Sequence, residues 1–359
     1  MSIKSRKIDF IGQDIFVGID IHKKHFTVTI QGALLVYKTF NQPPESNPLV
    51  NYLIKHFPNA NYFAAYEAGF CGFWLCKELL SQGINCIVVN PADVPSTDKE
   101  KKQKRDKLDS RKLARALKNG ELKAIHVPEI QIQQDRGLLR TRKQFVGNQT
   151  RCRNRIKSLL DFYGIQIPEK FNQSGSHWSN KFMIWLEQID LVEKSGTESL
   201  KLLLQEAKWI RLLLLQAQRA IRELSLAPRY QQDLKLLLSV PGVGMLTGML
   251  ILTEIGDINR FNGIDHLCSY LGLMPNVYAS GEKERVGDIT KRGNKHLRRN
   301  LIECSWVAVR NDPALGLKYH ELCGRMKGNK AIIRIARKLL NRIRYVLVHK
   351  EEYVLAIAA

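Results

Sequence analysis

The chain has 359 residues, and its 56 lysines and arginines against 34 acids give a formal net charge of +22. That length can bury substantial cores in two or three domains, and the basic excess favours a polyanionic partner over a neutral one. Its apolar runs are shorter than the ~20 residues of a membrane-spanning helix, the first seven residues lack the apolar stretch of a signal peptide, and seven scattered cysteines show no Cys-x-x-Cys pair. The expectation is a reduced, cytoplasmic protein with no membrane partner and no zinc site.

The N-terminal third alternates strands and helices. Residues 14–22 read as a strand that is apolar except for Asp20, residues 25–31 alternate Phe, Val and Ile with polar residues, and 34–40 make a third strand after a turn. Three strands joined this tightly predict an antiparallel meander. A helix at 47–56, a strand at 62–67, a helix at 70–82 and a strand at 84–89 follow. This βββαβαβ order, continued by a helix, is that of the ribonuclease-H-like fold.

Two acids interrupt the apolar strands, Asp20 in the first and Glu67 at the end of the fourth. Burying a carboxylate costs several kcal/mol unless it is paired or binds a cation. The next helix carries Asp106 and Asp109, whose spacing of three puts both on one face. Eleven lysines and arginines lie between residues 99 and 123. Carboxylates able to hold Mg²⁺ within a field that attracts phosphate are what phosphoryl transfer on nucleic acid requires.

Residues 131–226 show little strand character. Arg140, Arg142, Lys143, Arg151, Arg153, Arg155 and Lys157 fall in an acid-free stretch, read either as a solvated helix face or as an unbroken positive stripe for phosphate. Leucines and isoleucines give 191–226 a broad apolar face, predicting long antiparallel helices. Beyond them, Gly242 and Gly244 sit in a Pro-Gly-x-Gly turn between two helices. The turn is similar to a helix-hairpin-helix, whose amides can face a phosphate, and equally to a plain helix–helix turn. Leu271-Gly-Leu-Met-Pro275 and Ala279-Ser280-Gly281 follow, then Lys283, Arg285, Lys291, Arg292, Arg298 and Arg299, placed to clamp phosphate oxygens. A last helix within 324–348 combines an apolar face with eight basic residues.

These residues resemble those of the bridge-RNA-guided insertion-sequence transposases, recombinases with an Asp-Glu-Asp-Asp RuvC-like domain and a C-terminal serine domain. The likeness rests on Gly18-Ile-Asp20, Glu67, Asp106-x-x-Asp109, Leu-Gly-Leu-x-Pro, Ser280-Gly281 and Ile289-Thr-Lys-x-Gly-Asn294. It implies three domains: a RuvC-like α/β domain over 1–128, a helical coiled-coil arm over 129–232 and a mainly helical serine domain over 233–359. It also implies Mg²⁺ at Asp20, Glu67, Asp106 and Asp109. Ser280 stands at the position of the family's nucleophile, where many relatives have Ser-Ser-Gly and this chain has Ala279-Ser280-Gly281. The partners implied are donor and target DNA, a structured guide RNA encoded by the element, and further copies of the chain in a dimer or tetramer. On the residues alone, a Holliday-junction-type endonuclease using metal-activated water and a non-catalytic nucleic-acid-binding protein are the competing readings.

A chain this basic that contacts six or more phosphates should lose roughly 10³-fold in DNA affinity between 50 and 200 mM salt. A titration across that range checks this; a flat response would mean that the charge serves another purpose.

Overall fold

The structure, a computed structural model, describes residues 10–95, 106–173, 177–280, 283–290 and 292–355, with backbone alone for 277–280 and 283–286. Two compact units make up the chain, Met1–Val127 and Pro128–Ala359.

In the first unit β1 (Asp14–Ile21), β2 (Phe26–Gln31) and β3 (Val36–Gln42) form the expected antiparallel meander. β4 (Asn61–Glu67) and β5 (Asn85–Val89) add in parallel on the other side of β1, giving the order β3-β2-β1-β4-β5. This mixed sheet has the strand order expected of a ribonuclease-H-like fold. α1 (Asn47–His56) falls where its periodicity puts it. α2 (Trp74–Ser81) begins four residues later than 70, because the preceding turn holds Gly72 at φ +62° and its carbonyl accepts the Tyr66 hydroxyl at 3.0 Å. β3 likewise starts at Val36, after a turn closed by the Gly32 amide on the Leu35 carbonyl at 3.0 Å.

Strand alternation divides the sheet between two partners. Ile15, Val17 and Ile19 of β1, Phe26, Val28 and Ile30 of β2, and Ala64 and Tyr66 of β4 join Leu49 and Leu53 of α1 and Leu75 and Leu79 of α2 in one buried core. The opposite phase of the same strands carries Gly18, Asp20, Thr29, Ala65 and Glu67, and there α3 (Asp106–Lys118) packs across β1, β2 and β4. Contact is close. A side chain at Gly18 would overlap the backbone of Ser110 and Ala114, and the buried Ser110 hydroxyl meets that of Thr29 at 2.8 Å.

The second unit is mostly helical. α4 (Ile130–Phe162), α5 (Asn180–Glu187) and α6 (Lys194–Ser225) form an arm. α4 and α6 run antiparallel: Leu139 shares a core with Ile221, while at the other end the Cys152 thiol donates to the Leu203 carbonyl at 3.5 Å. The far end has its own core, built on Phe171, Phe182, Leu186, Leu200 and Leu204. α7 (Pro228–Leu238), α8 (Met245–Ile255), α9 (Ile264–Leu271), α10 (Lys295–Asn311), α11 (Pro313–Cys323) and α12 (Gly328–His349) pack around the larger core. Between α9 and α10, where the sequence suggests a polar loop, β6 (Pro275–Ser280) and β7 (Lys283–Ile289) form an antiparallel hairpin. Among the described residues no helix is long and apolar enough to cross a membrane.

Gly18→Ala should force α3 off the sheet, costing about 1–3 kcal/mol as an overpacking change. Urea unfolding followed by circular dichroism measures this, and an unchanged midpoint would contradict the close approach.

Candidate active site

Asp20 and Glu67 arrive at one place by register. β1 and β4 pair in parallel through Gly18↔Ala65 and Ile19↔Tyr66, so Asp20 and Glu67 are the next residues on neighbouring strands and share the face that α3 covers. α3 begins with Asp106, and its first turn also contains Asp109. The helix is fixed over β1 by Gly18, which sets both acids above the strand ends. All four sequence-assigned acids thus lie at one end of the sheet, on three separate segments.

Lys112 and His22 stand among these acids. The Lys112 ammonium lies 3.2 Å from Asp109 and 3.7 Å from Glu67, and only 11% of its side chain is exposed. His22 Nε2 lies 3.2 Å from Asp20 and 3.3 Å from Asp106. Burial raises the pKa of Asp20 above its ordinary value; His22 opposes the rise, and the nearby charges of Asp106 and Asp109 add to it. A half-buried carboxylate pressed by two others is a ready ligand for a hard divalent cation, so the donor set fits Mg²⁺. Among the described residues, however, the tightest possible ligand group is His22, His25 and Asp106, whose ligand atoms all lie within 4.8 Å of one another. Sequence reasoning passed over His22, His25 and Lys112. The pattern Asp20-Ile-His22-Lys-Lys-His25 at a strand end was the available signal for the histidines.

In the second unit the C-terminal motif builds a scaffold. Glu254 is fully buried in α8, and both oxygens accept from Arg140 of α4, at 2.7 and 2.8 Å. Arg136 approaches to 3.6 Å, and the Asn294 side-chain amide donates at 2.8 Å while its oxygen caps α10. Burial pushes the Glu254 pKa up, but the Arg140 bonds and charge, with Arg136 and Asn294, outweigh it and hold the carboxyl below its ordinary value. Gly272 and Gly293 let the Leu-Gly-Leu loop touch the segment before α10, since a side chain at either would strike backbone of the other's segment.

Several residues assigned to phosphate contact have protein partners in the structure. Arg140 is committed to Glu254, and Arg155 to Glu206 at 2.6 Å. Arg298 donates through Nη1 to the carbonyls of Leu271, Gly272, Thr290 and Arg292 at 3.2–3.4 Å. Gly242, at φ +86°, lies so close to Cys304 and Ala308 of α10 that a side chain would not fit; its role is packing, whereas Gly244 caps α8 in open space. The α4 stripe is therefore interrupted. Lys143 meets His296 at 2.6 Å, and burial together with the charges of Arg299 and Lys295 lowers its pKa. Arg153 lies 5.1 Å over the Trp178 ring, and burial lowers the pKa of Arg142. Arg151, Arg292 and Arg299 are exposed and Lys157 half-buried. Ser280 ends β6 and pairs in register with Lys283 at the start of β7, with Arg285 further along that strand. The side chains of Ser280, Lys283 and Arg285, and all of Gly281 and Lys291, lie outside the described residues.

Two family models match the chain. One, a transposase model named for the DEDD transposases of IS110, covers residues 17–165 and includes all four acids. The other, described as the transposase IS116/IS110/IS902 family, covers 234–321 and includes Glu254, Ser280 and Asn294. Among curated relatives, the chain is 27% identical to y4qE of Sinorhizobium fredii, provisionally named a transposase, over 85% of the chain and 74% of that protein. It is 27% identical to the transposase for insertion sequence element IS1111A of Coxiella burnetii, over 77% of the chain and 75% of the relative. With the transposase for IS1533 of Leptospira borgpetersenii the identity is 26%, over 89% and 91%.

Arg140→Leu leaves a buried carboxylate short of its main partner and should cost about 3 kcal/mol. Because the folded pKa of Glu254 lies below 4.5, its contribution is complete above that value and is lost as pH falls through the folded pKa. Wild-type stability should therefore decline below about pH 4.5 more steeply than that of Glu254→Gln, as measured by urea unfolding across pH. Equal slopes would contradict the network's weight.

Proposed function

We propose that the chain is an insertion-sequence transposase of the IS110/IS116 family with a DEDD transposase domain, and that it cleaves and rejoins DNA through a covalent phosphoserine at Ser280. Asp20, Glu67, Asp106 and Asp109 would hold Mg²⁺, which when bound supplies Lewis acidity that polarises a phosphoryl oxygen and lowers a hydroxyl pKa. The observation that carries the metal half is the meeting of the four acids at one sheet end, where Lys112 and His22 contact them in pairs. Lys112 bridges Glu67 and Asp109 and keeps their carboxylates oriented, and His22 does the same for Asp20 and Asp106.

In the reaction, the Ser280 oxygen forms a bond to phosphorus, the bond from phosphorus to one DNA oxygen breaks, and the departing hydroxyl takes up a proton. The hydroxyl of a second strand then attacks the phosphoserine, forms the new phosphodiester and returns the proton to serine. No bond energy is lost in the exchange, so no nucleotide cofactor is consumed. Support for Ser280 comes from its place in the 234–321 match and from the resemblance of its motif. The same resemblance and the net charge of +22 support a structured guide RNA encoded by the element, donor and target DNA, and assembly of two or four copies.

Asp106→Asn should bind DNA yet lose strand cleavage by at least 10²-fold, because an amide is a poor Mg²⁺ ligand of the same shape. Ser280→Ala should bind DNA but form no covalent adduct. Denaturing electrophoresis with peptide mapping decides both: an adduct on another residue, or recombination by Ser280→Ala, would overturn the serine assignment.

A further inference from the structure

We infer that His22, His25 and Asp106 form a second cation site, selective for imidazole-binding divalent metals such as Zn²⁺ or Co²⁺, which adjoins the carboxylate set through the shared Asp106. The inference rests on the reading of the four acids as a metal site. It differs in ligand chemistry.

A tight turn brings the histidines together: the His22 amide donates to the His25 carbonyl at 3.0 Å, and the ring centroids lie 5.1 Å apart. Both Nε2 atoms face one carboxylate oxygen of Asp106, at 3.3 and 3.9 Å. With metal–ligand bonds of about 2.1 Å, ligands around one tetrahedral ion stand about 3.4 Å apart. The observed separations, all within 4.8 Å, bracket that value. The three side chains are 41%, 39% and 50% exposed, so small rotations can close the geometry and water can fill the remaining coordination position. Imidazole nitrogen prefers zinc-like ions, whereas Mg²⁺ takes oxygen ligands. Oxygen-only Glu67 and Asp109, held by Lys112, would thus keep the Mg²⁺ preference on their side of Asp106. Zinc-like ions bound on the histidine side would draw the Asp106 oxygen away from that set and so inhibit it.

The full chain titrated with Co²⁺ should develop ligand-field absorption in the visible range, and Zn²⁺ should bleach it at one equivalent. His25→Gln should weaken Co²⁺ binding at least 10-fold, and Glu67→Gln should leave it within about 3-fold of wild type. An unchanged Co²⁺ affinity in His25→Gln would overturn the site, as would a spectrum dominated by thiolate-to-metal charge transfer, which would place the ion on cysteine. Strand cleavage by Glu67→Gln in Mg²⁺ is scored separately: its persistence would count against the carboxylate reading without touching the cobalt result.

Discussion

Repulsion among Asp20, Glu67, Asp106 and Asp109 is the constraint around which the N-terminal unit is organised. Burial raises the pKa of Asp20, and the nearby charges of Asp106 and Asp109 add to the rise. The fold places polar partners among the four acids, Lys112 between Glu67 and Asp109 and His22 between Asp20 and Asp106. Everything that fixes the acids also fixes these partners. The bare backbone at Gly18 brings α3 onto β1, the Thr29–Ser110 bond holds it there, and the parallel pairing of β1 with β4 aligns two of the acids. A bound cation would relieve repulsion among the four carboxylates.

The second unit solves a related problem in the opposite way. Glu254 is wholly buried, and it stays ionised because Arg140, Arg136 and Asn294 come from two other helices to meet it. A buried ion pair of this kind contributes more to the uniqueness of an arrangement than to its net stability. Here it joins the base of the arm to α8 and to the start of α10. Much of the C-terminal motif thereby acquires a structural meaning: Gly272 and Gly293 permit close approach, Asn294 caps and donates, and Arg298 ties down four carbonyls.

The first sheet was legible because each strand has period-two alternation and short turns, and the acids stood out because they broke it. The strand-end position of Glu67 and the i,i+3 spacing of Asp106 and Asp109 were visible in the sequence as a candidate set. What escaped depended on partners distant in sequence. Arg140 lies 114 residues from Glu254, so its basic neighbours suggested phosphate where the fold supplies a carboxylate. The β6–β7 hairpin was hidden by its polar, charged composition, and α5 by its shortness. His22 and His25 were overlooked because attention fell on acids in strands, whereas the histidines flank the turn that follows.

The claim on which the rest depends is that three separate segments share one divalent ion. Fe²⁺ substituted for Mg²⁺ in the full-length chain, with ascorbate and peroxide, generates hydroxyl radicals that cut the backbone close to the bound ion. Cuts are expected near residues 20, 67 and 106–109 together, and excess Mg²⁺ should suppress all three. Cuts confined to one segment, cuts elsewhere in the chain, or cuts indifferent to Mg²⁺ would contradict the shared site.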